Sequence, residues 1–170
     1  LQLEPKHAGA NHFYIHATEM SQHAEEAEAS ADLLLDLVPG SGHLVHMPSH
    51  TYIRIGRYHD GVVTNQKAVA IDSSYMEACH AQGAYPLAYY PHNYHFIAAC
   101  ATLSGESKIA LKGALATASH ADKKLMYDPV WATAADRRRL SLSLDFQPGN
   151  APCKGAVVES YFGNLLPDSE

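Results

Sequence analysis

Apolar side chains recur along this chain at intervals of three and four, the spacing of a helix with one buried face. The pattern predicts helices at about residues 10–20 and 24–38, 44–56 and 60–72, then 91–104 and 107–120. Pro39 and Pro91 fall at the predicted boundaries, as helix-breaking residues should. Pro48 falls inside a predicted helix. Its ring has to kink that helix or delay its start until after His46. A further helix is expected over "DPVWATAADRRRLSLSL", with Asp128 as its cap and Pro129 at its first position. From residue 145 onward Gly, Pro and Asn dominate until "GAVVESYFGNLL", and no element is assigned there.

The predicted helices repeat. An offset of 34 residues carries His12 to His46, His16 to His50, Phe13 to Met47, Ala27 to Gly61 and Leu34 to Ala68. A second offset of 49 carries His43 to His92, His46 to His95, Gly56 to Gly105 and Gly61 to Ala110. The additional 15 residues fit an insertion in the Tyr- and Pro-rich stretch at 73–91. A period of 34 is that of the helix–turn–helix tetratricopeptide repeat.

The unit "YIRIGRYHDGVVTNQKAVAID", residues 52–72, resembles that repeat best, through Tyr52, the Gly56 and Tyr58 turn, small Gly61, Ala68 and Asp72. Gly56 suits a left-handed helix end, and small Gly61 and Ala68 allow two helices to approach closely. "HFIAACATLSGESKIALKGALATA" keeps Gly105, Ala110 and Ala114 but has Ala101 and Ser107 in place of the tyrosines. The first unit has Gln22 at the turn. The chain is also similar to histidine-rich tetratricopeptide-like proteins with "GANHFYIHATE" and "GHLVHMPSHTYIRIGRY"-like segments, a likeness that implies no particular chemistry. The expected fold is all-α: about three tetratricopeptide-like helix pairs over residues 1–127, with an insertion near 73–91, then a C-terminal helix and irregular tail over 128–170. In such an array the first helix of each pair lines a concave groove, which the resemblance makes ligand-contacting.

Composition narrows the function classes. With 170 residues and 46% apolar content the chain can bury a core, and no stretch reaches the ~20 apolar residues of a membrane span. A net charge of −6 argues against nucleic acid as a partner. The one basic run, "DRRRL", fits a solvated helix face. Cys79, Cys100 and Cys153 form no metal clamp or disulfide framework. The chain begins at Leu1 without a signal-peptide pattern, so a piece of something longer is expected and the compartment is left unassigned. There is no GxSxG, P-loop or dinucleotide motif, and whether the protein is an enzyme stays open.

The chemistry lies in the twelve histidines. His12, His16 and Glu19 share one helix face, as do His43, His46 and His50 if the helix runs through Pro48, while His92 and His95 repeat the theme. Three readings follow. The histidines are structural, or they bind a transition metal (Zn, Cu or Fe), or the groove takes an acidic peptide, protein or small acid without metal. Imidazoles four residues apart present two nitrogens to one ion, which favours metal. The expected ligands are His12, His16, His46 and His50, with Glu19 or His95 beside them, and His43, His92 and Asn93 lining the groove. Tyr85, Tyr89, Tyr90 and Tyr94 are candidates to roof the groove, and Cys79–His80 to add a soft ligand. His23, His59 and His120 are expected to face solvent. Open repeat ends also permit head-to-tail stacking into a homo-oligomer.

Overall fold

The computed structural model describes residues 1–80 and 89–120. The described residues are all-helical, with no strand among them, and no helix there is long and apolar enough to cross a membrane. The elements are α1 (Ala8–Glu19), a 3-10 turn (Ala24–Ala27), α2 (Glu28–Leu37), α3 (Gly42–His46), α4 (Pro48–Arg54), α5 (Tyr58–Cys79), α6 (Tyr90–Leu103) and α7 (Ser107–His120). α1 packs on α2 and α4, α5 on α3, α4 and α6, and α6 on α7.

Two apolar clusters hold these layers together. Ile15, Ala27, Ala31, Leu34, Met47 and Tyr52 fill the space between α1, α2 and the α3–α4 segment. Ile53, Val62, Phe96, Cys100, Ala101 and Ala110 do the same between α4, α5, α6 and α7. Tyr52 is buried, but its hydroxyl donates to Asp32 at 2.6 Å, and the Arg57 guanidinium lies 4.2 Å above its ring. Arg57 in turn bonds Glu28, Asp32 and Asp60, which ties α2 to the start of α5.

The two predicted turns are alike in detail. Gly56 and Gly105 have φ of +85° and +79°, the left-handed conformation that glycine adopts without steric cost. Behind each, the N–H three residues past the helix bonds back five residues, Arg57 to the Tyr52 carbonyl at 2.9 Å and Glu106 to that of Ala101 at 2.8 Å. These are Schellman closures, and they stand 49 residues apart. Gly61 marks a close approach, since a Cβ there would lie 2.7 Å from the Cys100 sulfur.

Several boundaries differ from expectation for identifiable reasons. The second predicted helix opens as a 3-10 turn before α2. The third begins at Gly42 and divides at Met47, because Pro48 has no N–H to donate. Met47 itself keeps helical φ and ψ of −52° and −39°, so α3 and α4 follow nearly one course. α5 runs past residue 72 to Cys79, through the first part of the expected insertion, because residues 73–79 contain neither Gly nor Pro. It stops at His80, which is left-handed at φ 47°. Tyr85, Pro86, the helix expected from Asp128 and the tail over 128–170 lie outside the described residues.

Candidate metal centre

Four helices bring their histidines to one place. His12 and His16 come from α1, His43 and His46 from α3, His50 from α4 and His92 from α6. They fall into two sets of three, His12/His16/His43 and His46/His50/His92, and within each set one nitrogen per ring lies within 4.8 Å of the others. Both sets follow one rule. Each takes two histidines four residues apart, His12 and His16 on α1 or His46 and His50 across the α3–α4 junction, and a third from near the start of another helix, His43 on α3 or His92 on α6. The 34-residue offset maps the first pair onto the second, and the 49-residue offset maps His43 onto His92. His95 is the next image of His46, but position 99 is alanine where a further pair needs its second histidine. His95 is buried on α6 and enters neither set among the described residues.

The deeper set is fixed by its surroundings. His46 is 1% exposed, and its Nδ1 lies 2.6 Å from Asn65 Oδ1. Asn65 is held the right way round because its Nδ2 donates to the Gly61 carbonyl at 2.7 Å. Nδ1 of His46 therefore carries the proton and Nε2 presents a lone pair. His50 is set similarly by its Nδ1 against Glu19 Oε2. The two Nε2 atoms of His46 and His50 then face each other at 2.9 Å. Two lone pairs at that distance repel unless a cation, a proton or a metal ion, sits between them.

Glu19 also accepts from His16 Nδ1 at 3.0 Å through its other oxygen, so one carboxylate orients an imidazole in each set. Burial pushes its pKa up, but the hydrogen bonds and charges of His50 and His16 outweigh that and hold it near 2. Arg54 donates to the carbonyls of Glu19 and Ser21 at 2.8 and 3.0 Å, which anchors the end of α1 to α4. In the outer set His12 and His43 bring their Nε2 atoms to 3.2 Å. Burial, reinforced by neighbouring imidazoles, lowers the pKa of His12, takes His43 down to about 4 and holds His46 well below its ordinary value. These three rings are thus neutral at neutral pH, the form that coordinates.

Phe96 forms an apolar floor, its ring 4.9, 4.6 and 4.9 Å from those of His46, His50 and His92. Tyr89 meets His43 edge-on at 5.1 Å, whereas Tyr90 and Tyr94 pack against each other and His120. Asn93, expected along the groove, is buried and donates to Asp72 at 2.7 Å. Exposed Cys79 enters neither histidine set. His23 and His59 are exposed beside Glu25 and Glu106, and His7 caps α1 by accepting from the Ala10 N–H.

Asn65 and Phe96 were not singled out from the sequence, where each reads as an ordinary helical residue. Comparison with protein-family models, with curated proteins and with solved structures finds no match to this chain.

Proposed function

We propose that this chain is a histidine-lined helical domain that binds a transition metal, with His46, His50 and His92 as the principal ligands. The observation that carries the proposal is the 2.9 Å approach of the Nε2 atoms of His46 and His50, whose Nδ1 atoms are engaged by Asn65 and Glu19. An ion with metal–nitrogen bonds of ~2.0–2.1 Å holds neighbouring nitrogens about 3.4 Å apart in tetrahedral geometry, so small adjustments accommodate it. Three imidazoles suit Zn, Cu or Fe and leave a coordination position open. We place the site in a tetratricopeptide-like array. Support comes from the paired helices α4–α5 and α6–α7 and from their matching Schellman turns.

The test is elemental analysis of the untagged protein, as purified and after loading with each metal at neutral pH, beside His92→Ala. The expected result is tightly bound metal that survives gel filtration in the wild type and is weakened at least tenfold by the substitution. Absence of metal under every loading condition sinks the proposal and leaves a proton between His46 and His50. A metal-free peptide-binding groove is the second reading. Phe13 favours it, being 69% exposed with its ring 5.0 Å from His12, as an apolar contact beside the histidines.

A further inference from the structure

Resting on the metal-binding reading, we propose that the centre is dinuclear. Each set of three imidazoles holds its own ion, and the two ions share a small exogenous anion on their open sides. The repeat rule is the first reason. His12/His16/His43 is the same construction as His46/His50/His92 displaced along the array, so whatever donor set suits an ion in one is present in the other. Adjacency is the second. The His16 and His50 rings are 5.8 Å apart, those of His43 and His46 are 6.2 Å apart, and Glu19 touches His16 and His50 with its two oxygens.

Charge points to the bridging anion. The six donors are imidazoles, which bring no negative charge to an ion, and both oxygens of Glu19 are engaged with Nδ1 atoms. Two divalent ions would place four positive charges beside one carboxylate in a half-buried site. Each ion would also have three protein ligands and at least one open position. An anion spanning both ions reduces the repulsion and fills both positions at once, as in two-metal sites of other chemistry. Hydroxide from water is the default occupant, and azide is a convenient probe.

The experiment is a Cu(II) titration of the full chain, followed by metal content and electron paramagnetic resonance, with and without azide. Two copper ions per chain are expected. With azide present, the integrated signal at two equivalents should fall well below two spins, because the bridged ions couple. His43→Gln should retain one ion per chain and about one full spin, with its fold checked by circular dichroism. His12→Gln serves as the second variant should the first lose its helical signal. One ion per chain in the wild type overturns the dinuclear proposal while upholding the metal site. Two ions with undiminished spins in azide overturn the bridge. No bound metal overturns both this inference and the reading beneath it.

Discussion

Asn65→Leu tests whether the tautomer of His46 is set from outside the donor set. The substitution nearly conserves side-chain size in a fully buried position, so packing changes little, but it removes the acceptor 2.6 Å from His46 Nδ1. The imidazole proton is then better placed on Nε2, where it can bridge to His50 Nε2 at 2.9 Å. That hydrogen bond replaces the lost one, so the metal-free chain should lose only about 1 kcal/mol of stability. Metal must now displace a proton from the coordinating nitrogen. Loss of such outer partners costs ~10–100-fold in affinity, or ~1.4–2.7 kcal/mol. Competition against a chromogenic chelator at pH 7, with thermal melts of the metal-free chain, separates the two quantities. Asn65→Asp keeps an acceptor and should keep most of the affinity. Affinity of Asn65→Leu within twofold of wild type would refute the tautomer argument.

Other perturbations follow from the same contacts. Glu19→Gln removes a carboxylate that orients His16 and His50, and should weaken metal binding in both sets; an effect confined to one ion, read by stepwise titration, would contradict its shared role. Gly61→Ala places a methyl 2.7 Å from Cys100 Sγ and should cost ~1–3 kcal/mol in urea unfolding; an unchanged midpoint would show that α5 and α6 separate easily. His43 is held near 4 in the fold against an ordinary 6.5, so the unfolded chain binds its proton first. The metal-free chain should therefore lose stability as pH falls from about 6.5 towards 4 and keep it above that window; in His43→Asn that pH dependence should be shallower, and equal slopes would remove His43 from the account.

The all-helical architecture was legible because apolar side chains recur at intervals of three and four along the chain. The 49-residue offset drew Gly56 and Gly105 together, and both adopt left-handed turns with matching hydrogen bonds. The 34-residue offset likewise identified equivalent histidine pairs. It could not say which histidines meet, because matched slots are equivalent positions on different helices and not contacts. The expected ligands were His12, His16, His46 and His50, with Glu19 or His95 beside them and His43 and His92 lining the groove. The helix packing instead places His43 beside the first pair and His92 beside the second. Asn65 escaped notice for a similar reason. It reaches His46 only because α5 packs against α3, and nothing local to "VVTNQKAV" announces that. The extent of α5 was misjudged because a match to the repeat length set its end at Asp72, where the residues that follow permit the helix to continue.

The central claim is that imidazoles hold a transition metal in this helical stack. X-ray absorption at the edge of the bound metal, on the full chain loaded at pH 7, tests it most directly. The account predicts a nitrogen and oxygen shell near ~2.0–2.1 Å with the outer-shell scattering of about three imidazoles per ion and no sulfur. A shell containing sulfur at ~2.3 Å, or one of oxygen alone without imidazole scattering, would contradict it.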